Sequence, residues 1–341
     1  MFFYPKMMIY TIKKFLIKIK NILFLLNFHL KKKKLNKRKI KKINTPLILI
    51  SQIQRSGGTM ITQLFDNHNQ ILSYPHELRI FNPAWNFLSS KNFYTFKMEP
   101  FASMARDEKY IKNASIKNQE GHKLKFNLDY QKFIFDKYSK SSDLNLRQKF
   151  NLYFTSFFNS FENLKTNFDK KKYLLAFIPR SNLYKKNFEI FFEMYPDGFI
   201  ISLTREPLSW LSSAIKHSLE YQDVNYALKI WYNTTNLTLK MMKKQDRVLL
   251  VNFEEIINKP KSTLRKLCKK LKITYDESLS IPTFNGEKIL SDSSFKSVRG
   301  QIDKTTLSRK NNLNDKIRKK IKKEIEKKCT DLYEETKKYS I

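Results

Sequence analysis

The residues best suited to chemistry lie in one short loop, Gln54-Arg55-Ser56-Gly57-Gly58-Thr59, between two apolar runs. Two of the chain's six glycines stand here. At a turn from a strand into a helix, glycines let the backbone leave its N–H groups free to face an anion. The loop also offers a guanidinium and two hydroxyls. These residue types in this order indicate a binding site for a phosphate or sulfate group.

The segments on either side of the loop fit this role. Residues 47–53 form a short apolar, β-branched run, which predicts a buried parallel strand. Residues 59–67 carry apolar side chains at helical spacing. The G-x-x-x-x-G-K-[ST] pattern is absent, so the lysine and hydroxyl that hold a β/γ-phosphate and Mg²⁺ are missing. A metal-dependent ATPase is therefore disfavoured.

Two further arginines directly follow predicted strands. Residues 173–178 and 199–203 read as buried strands separated by a short helix, which indicates a parallel βαβ unit. Because ligands bind at the carboxyl ends of parallel strands, Arg55, Arg180 and Arg205 are expected at one edge of the sheet. The sequence thus predicts an α/β protein with a P-loop-like, three-layer fold, in which a central parallel sheet carries helices on both faces.

The loop and its continuation resemble the 5′-phosphosulfate loop of sulfotransferases that use 3′-phosphoadenosine 5′-phosphosulfate (PAPS). That family carries R-S-G-T-T followed by L-L-x-x-L-L-D-x-H-P-x-I. Gly58 replaces the first Thr and removes one hydroxyl donor, so phosphate binding must rely on Arg55, Ser56, Thr59 and backbone N–H groups. The matching residues, without a gap, are Arg55, Ser56, Gly57, Thr59, Leu64, Phe65, Asp66, His68 and Ile71.

Later segments resemble the family's other binding elements. Arg205-Glu206-Pro207, with Ser213 eight residues after the arginine, is similar to the R-D-P box and its serine. The resemblance implies that Arg205 and Ser213 hold the 3′-phosphate of PAPS. Arg180 stands where related enzymes keep a Lys or Arg facing the transferred sulfuryl group. Residues 293–300 resemble the late basic-glycine element, which makes Arg299 a further candidate ligand of the 3′-phosphate.

Glu77 is the expected catalytic base. Sulfuryl transfer to a hydroxyl needs a group that removes the hydroxyl proton. The resemblance implies this role for Glu77, because tyrosylprotein and several carbohydrate sulfotransferases use a Glu a little over twenty residues after the loop arginine. His76 and His68 are alternatives, since other branches use a histidine, although packing at the helix end explains His68 better. An ion pair with Arg79 is the purely structural interpretation of Glu77.

Composition and charge limit the class of protein. A chain of 341 residues with 41% hydrophobic content can bury a sizeable core. The net charge of +35 indicates an anionic partner: lipid, nucleic acid, or a doubly charged nucleotide with an acidic glycan. Cys268 and Cys329 lie far apart in Lys-rich surroundings, so neither a disulfide framework nor a zinc site is expected, and no metal is required. These features favour the cytoplasm.

The chain is expected to divide into a leader, a main domain and a charged tail. Residues 1–44 contain no acidic residue and carry an apolar stripe among lysines, too short to cross a bilayer. Two alternatives have equal weight for this segment. One is a basic amphipathic helix that lies on the cytoplasmic membrane face; the other is a poorly ordered leader or a wrongly assigned start. The main domain is expected at 45–300, with an insertion at about 82–170 for acceptor binding. Residues 301–341 are expected to form a charged, solvated helix.

The sequence therefore predicts a PAPS-dependent sulfotransferase that transfers a sulfuryl group to an acceptor hydroxyl. A carbohydrate or glycolipid acceptor is favoured by its frequency in the family and by the leader. A non-catalytic protein binding nucleic acid or anionic membrane would explain the charge, but no nucleic-acid module is recognisable. A P-loop kinase would explain the loop, but it lacks the lysine and the carboxylates for Mg²⁺.

Overall fold

A computed structural model describes residues 39–78, 104, 125–140, 144–164, 166–289, 298–308 and 315–341. The chain forms two compact units. We call Thr45–Leu78 with Lys165–Ile341 the sheet unit, and Met1–Asn44 with Arg79–Leu164 the helical unit. Residues 1–38 of the predicted leader and much of the predicted insertion lie outside the described residues. Across the described ranges, no helix combines the length and apolar character needed to cross a membrane.

The sheet unit is built on five parallel strands in the order β2-β3-β1-β4-β5. β1 is the central strand; its Ile50 pairs with Phe177 on one side and Ile201 on the other. All six residues of β1 are buried, as expected for a parallel sheet covered on both faces. The strands are β1 (Leu47–Gln52), β2 (Ile71–Glu77), β3 (Tyr173–Pro179), β4 (Phe199–Thr204) and β5 (Val248–Asn252), and β6 (Thr283–Phe284) and β7 (Glu287–Lys288) form a separate hairpin.

Ten α-helices and several short 3₁₀ turns lie within the described residues. The helices are α1 (Gly58–Phe65), α2 (Leu128–Ser139), α3 (Leu146–Asn159), α4 (Lys185–Met194), α5 (Pro207–Ala214), α6 (Val224–Met242), α7 (Phe253–Asn258), α8 (Pro260–Leu271), α9 (Asp315–Lys328) and α10 (Thr330–Tyr339). The 3₁₀ turns are Phe168–Lys170, Ser181–Leu183, Leu219–Gln222, Glu277–Ser280 and Lys304–Leu307.

Helices cover both faces of the sheet, because alternate residues of each buried strand point to opposite sides. One face packs Ile50 of β1 against Ile61 of α1 and Leu264 of α8. Leu250 of β5 belongs to a second cluster with residues of α5, α6 and α9. The three-layer α/β fold predicted from the sequence is confirmed.

Strand β2 was not predicted from the sequence, because its seven residues, ILSYPHE, contain a proline and three polar side chains, Ser73, His76 and Glu77. Proline removes a donor from the ladder and is tolerated where one side of a strand is unpaired. β2 is the edge strand of the sheet, and its register with β3 shifts between Ser73 and Glu77. The shift ends with Glu77 opposite Phe177.

The C-terminal segment forms two helices, with one face of each buried, whereas the sequence favoured one solvated helix. Ile321, Ile325 and Leu332 join the core that α5 and α6 form. The backbone N–H of Ile341 donates to the carbonyl of Leu250 at 3.1 Å, and so covers the outer edge of β5. The many lysines of the segment concealed an apolar stripe with four-residue spacing.

The helical unit contains an aromatic-rich helix, α3, within residues 144–164. Asn145 caps α3 in a capping box with Gln148. Tyr153, Phe154 and Phe157 are fully buried along the inner face of α3. The proposed contribution of this region to acceptor binding stays a prediction.

His68 packs at the end of α1, as the sequence favoured. Its Nδ1 accepts a hydrogen bond from the N–H of Gln70 (3.2 Å), so its Nε2 carries the proton and donates to the carbonyl of Thr274 (2.7 Å). The side chain is 1% exposed. Burial lowers the pKa of His68 below its ordinary value, and the fold holds the neutral ring.

This arrangement predicts a pH dependence of stability. The pKa of His68 is lower in the fold than the unfolded value of about 6.5. The unfolded chain therefore takes up the proton first, and the contribution of His68 to stability decreases as the pH falls below about 6.5. Between about pH 7.5 and 5.5 we expect the unfolding temperature to fall more for the wild type than for His68→Gln, which does not titrate. Equal slopes in circular dichroism melts would contradict this role.

Candidate functional site

The loop after β1 adopts a conformation suited to anion binding. Arg55 and Gly57 have φ angles of 71° and 106°, so the chain turns sharply before α1 begins at Gly58. No side chain caps this helix. The first helical hydrogen bond runs from the N–H of Ile61 to the carbonyl of Gly57 (3.2 Å). The preceding N–H groups therefore have no partner within α1 and are available to an anion.

Two side chains fix the direction of the loop peptides. The indole Nε1 of Trp210 donates to the carbonyl of Gln54 (2.8 Å), and Arg205 Nη1 donates to the carbonyl of Arg55 (2.9 Å). In a trans peptide the carbonyl and the following N–H point in opposite directions. The N–H groups of Arg55 and Ser56 are therefore directed away from Trp210 and Arg205.

An open cleft of about 820 Å³ lies at the carboxyl ends of the strands and includes this loop. Among the residues singled out from the sequence, it is lined by Arg55, Gly57, Gly58, Thr59, Glu77 and Arg205. Its remaining walls come from Gln52, Gln54, Met60, Gln63, Phe177, His217, Phe253, Ile257, Ile302, Asp303 and Thr306. The cleft thus brings together cationic and hydroxyl groups with two carboxylates, those of Glu77 and Asp303.

Arg205 is held rigidly at one side of the cleft. It is 3% exposed, and its guanidinium lies 4.6 Å from the ring centroid of Phe253. Its Nε and Nη2 donate to Ser209 Oγ at 3.2 and 2.9 Å, and Nη2 also donates to the carbonyl of Thr306 at 2.9 Å. Its own carbonyl accepts from Trp231 Nε1. These bonds, with the one from Nη1 to the Arg55 carbonyl, fix the position of the guanidinium beside the cleft.

Glu206, the residue after Arg205, caps a helix and is not among the residues that line the cleft. The Glu206 carboxylate accepts from the N–H groups of Leu208 (3.1 Å) and Ser209 (2.8 Å), and so caps α5. Pro207 occupies the first turn, where its missing N–H costs nothing. An acidic residue and a proline after the arginine therefore set the start of the helix that carries Ser213.

Two serines named from the sequence are not among the residues that line the cleft. Ser213 contacts a residue that does line it, since its Oγ accepts a hydrogen bond from Arg55 Nε at 3.0 Å. Ser56 follows Arg55 in the loop and is 1% exposed, and its Oγ has no hydrogen-bond partner among the described residues. A buried hydroxyl of this kind in the loop fits a phosphate or sulfate oxygen.

Arg180 lies beneath the loop and is not among the residues that line the cleft. Its Nε donates to Gln54 Oε1 at 2.7 Å, and its Nη2 donates to Glu220 and Tyr221. Its N–H reaches the carbonyl of Gln52. The contacts described here connect Arg180 to the loop, while its predicted contact with a sulfuryl group stays untested.

Arg299 is half-buried, and it too is absent from the cleft lining. The residues just after it, Ile302, Asp303 and Thr306, do line the cleft. Its neighbours at 293–297 lie outside the described residues. The assignment of Arg299 to the 3′-phosphate stays a prediction.

Glu77 ends β2 and faces the cleft opposite the arginines. His76, the alternative base, donates from Nδ1 to the carbonyl of Glu77 (3.1 Å), and its ring lies 4.6 Å from that of Tyr74. It does not line the cleft, and His68 has both ring nitrogens bonded to the backbone. Among these three residues, only Glu77 reaches the cleft.

His217, which no sequence motif indicated, also lines the cleft. Partial burial lowers its pKa; the charge of Arg55 acts in the same direction, and the Glu77 carboxylate opposes both. His217 therefore lies near Arg55, which is predicted to bind the anion, and near Glu77, which is predicted to remove the proton. Only its position four residues after Ser213 could have drawn attention to it.

The space around Gly58 explains why a threonine is absent there. A Cβ at this position would lie 2.6 Å from Gln52 Nε2 and 2.8 Å from two ring carbons of Phe177. Both distances are far below van der Waals contact. The side chains of Gln52 and Phe177 therefore occupy the volume that a threonine would need.

The loop after β1 and the cleft at the strand ends belong to a three-layer α/β fold. The model of the sulfotransferase family matches residues 46–277, more than half of the chain, and the chain belongs to this family. This assignment confirms the family predicted from the sequence and sets aside the P-loop kinase. It does not settle the R-S-G-T-T subgroup.

Solved structures agree with this fold. The sulfotransferase domain from the curacin biosynthetic pathway has a TM-score of 0.52 and 14% identity, covering 84% of this chain and 99% of that one. The sulfotransferase domain of the Synechococcus PCC 7002 olefin synthase has a TM-score of 0.52 and 15% identity, covering 81% and 92%. A search of curated proteins finds no match. At such identities the structures show the fold alone.

The geometry of the loop predicts a large cost for a side chain at Gly57. Its φ is +106°, and a Cβ would lie 2.6 Å from the ring of Phe253. We expect Gly57→Ala to lower the free energy of unfolding by about 2–4 kcal/mol, from backbone strain and overpacking together.

Gly286→Ala is the matched control for this substitution. Gly286 has a φ of +76°, but the atom nearest to a Cβ added there would be Asn67 Oδ1 at 3.1 Å. We expect a cost of only about 1 kcal/mol from backbone strain. Urea unfolding would measure both, and equal costs would contradict the close approach of Phe253 to the loop.

Proposed function

We propose that this sulfotransferase takes its sulfuryl group from PAPS and transfers it to a hydroxyl of a carbohydrate or glycolipid. One observation carries the proposal. The pre-organised loop and the buried guanidinium of Arg205 line the same cleft as Glu77. Two separate anion-binding features in one cleft with the Glu77 carboxylate fit a nucleotide with two charged groups and an acceptor hydroxyl.

The proposal assigns the two charged groups of the donor to different parts of the cleft. The N–H groups at the start of α1, with Arg55, Ser56 and Thr59, bind the phosphosulfate. Arg205 and Ser213 bind the 3′-phosphate, and Arg299 is retained as a further ligand of that group. Arg205 donates a hydrogen bond to the carbonyl of Arg55, which links the 3′-phosphate part of the site to the phosphosulfate loop.

Glu77 removes the proton of the acceptor hydroxyl as the hydroxyl oxygen attacks sulfur. PAPS supplies the sulfuryl group; the bond between sulfur and the acceptor oxygen forms while that between sulfur and the 5′-phosphate oxygen breaks. Arg55 and the loop N–H groups stabilise the negative charge that develops on the departing phosphate. The proton ends on Glu77, and Arg180 supports this charge stabilisation from beneath the loop.

Two glutamines in the cleft support a hydroxyl-rich acceptor. Gln52 and Gln63 line the cleft together with Glu77, and in both the buried Oε1 has no partner among the described residues. A carbonyl oxygen accepts hydrogen bonds from hydroxyls and repels phosphate oxygens. These two oxygens therefore suit a neutral polyol such as a sugar better than the charged donor.

The donor assignment predicts selectivity for the 3′-phosphate. We expect the full chain to bind 3′-phosphoadenosine 5′-phosphate (PAP) roughly 10- to 100-fold more tightly than adenosine 5′-phosphate in calorimetric titrations, the value of one charge-assisted contact. Arg205→Lys and Ser213→Ala should reduce this preference. Lys261→Ala, a basic residue exposed on α8, is the control and should leave it unchanged. If the wild type binds both nucleotides alike, the donor is not PAPS.

The base assignment predicts that Glu77→Gln loses turnover but not donor binding. We expect kcat to fall by about 10²- to 10⁴-fold, the usual contribution of a positioned base. PAP affinity should not fall, because the substitution keeps the size of the side chain and removes a negative charge from the cleft. Radiolabelled sulfate transfer from PAPS to a panel of saccharides would measure turnover. His76→Gln is the comparison, and a larger loss there than in Glu77→Gln would refute the assignment.

A further inference from the structure

The side-chain amide of Gln54 has an orientation that its neighbours fix. Its Oε1 accepts two hydrogen bonds, from Arg180 Nε at 2.7 Å and from Tyr221 OH at 2.6 Å. Arg180 can only donate. Burial raises the pKa of Tyr221 to about 12, so its phenol stays protonated and also donates. The amide oxygen therefore faces Arg180 and Tyr221, and the NH₂ group occupies the other terminal position of the Gln54 side chain.

The Gln54 NH₂ group is buried without a partner. Gln54 is 4% exposed and lines the cleft, and its Nε2 has no hydrogen-bond partner among the described residues. Buried donors in native proteins are nearly always bonded, and an unpaired one opposes folding. A donor kept in this state at the wall of a binding site is best explained by a ligand that supplies the acceptor.

We infer that the Gln54 NH₂ group donates a hydrogen bond to the 5′-phosphosulfate end of the bound donor. This inference rests on the proposed use of PAPS. Gln54 directly precedes Arg55, and its carbonyl is the one that Trp210 holds. The NH₂ group adds a neutral donor to a loop in which Gly58 cannot carry a hydroxyl.

Arg180 and Tyr221 are positioning residues in this arrangement. They do not line the cleft, and they act by holding the amide oxygen of Gln54. Glu220 in turn bonds Arg180, so the guanidinium is fixed from both sides. An amide locked by two donors loses little freedom when an anion binds, which favours affinity.

The test uses two nucleotides that differ only at the proposed contact. PAP carries the 5′-phosphate, while adenosine 3′-phosphate lacks it. Gln54→Glu keeps an oxygen for Arg180 and Tyr221 but replaces the NH₂ donor with an oxygen that repels the anion. In calorimetric titrations of the full chain we expect PAP to bind roughly 10- to 100-fold more weakly to this variant than to the wild type. The affinity for adenosine 3′-phosphate should change by less than about twofold.

Two companion variants separate this role from charge and from folding. Gln63→Glu adds the same charge to another wall of the cleft, and it should weaken PAP binding less than Gln54→Glu. Tyr221→Phe removes one of the two donors that orient the amide, and it should weaken PAP binding by about 3- to 10-fold without affecting adenosine 3′-phosphate. Melting temperatures of all variants accompany the titrations.

The outcomes separate the two proposals. If the wild type prefers PAP over adenosine 5′-phosphate but Gln54→Glu binds PAP unchanged, the Gln54 contact is refuted and the donor assignment stands. Equal losses for PAP and adenosine 3′-phosphate, or equal losses in Gln63→Glu, would also overturn the contact. A wild type that does not distinguish the 3′-phosphate would refute the donor assignment and this inference with it.

Discussion

Two hydrogen bonds, from Trp210 to the carbonyl of Gln54 and from Arg205 to the carbonyl of Arg55, are the constraint on which the site depends. They fix the direction of both loop peptides, so that the N–H groups of Arg55 and Ser56 point away from Trp210 and Arg205. Arg55 has a positive φ angle. In a residue other than glycine this conformation costs energy unless surrounding contacts stabilise it. The two donors supply that stabilisation, and both come from the segment between β4 and the end of α5.

The strand order explains why distant segments meet in one site. β1 lies between β3 and β4, so the residues after these three strands converge at one edge. Arg180 and Arg205 both reach the loop from neighbouring strands, one through the Gln54 side chain and the other through the Arg55 carbonyl. Glu77 arrives from the edge strand β2 on the opposite side of β3. Anion-binding groups and the carboxylate are thereby separated across the cleft.

The sequence predicted the centre of this arrangement because local signals were strong there. The buried run of β1, the paired glycines and the helical spacing of α1 each indicate structure without tertiary information. Strand β2 could not be recognised, since only its edge position makes Pro75 tolerable. The buried faces of α9 and α10 were concealed by lysines, which cover their exposed sides.

Side-chain roles were harder to predict than elements. Arg180 follows its strand as expected, yet it bonds Gln54 and Glu220 and does not line the cleft. His217 and the glutamines carry no motif, and their place in the cleft depends on packing between segments far apart in the chain. Gly58 departs from the family pattern because Gln52 and Phe177 fill the space beside it, a reason visible only in three dimensions.

A crystal structure of the full chain with PAP would show whether the loop and Arg205 bind the two phosphates. We expect the 5′-phosphate within hydrogen-bond distance, about 2.7–3.2 Å, of the N–H groups at the start of α1. We expect the 3′-phosphate against Arg205, with the carbonyls of Gln54 and Arg55 still bonded to Trp210 and Arg205. A nucleotide bound with its phosphates reversed, or a loop in which either carbonyl has lost its donor, would contradict these assignments.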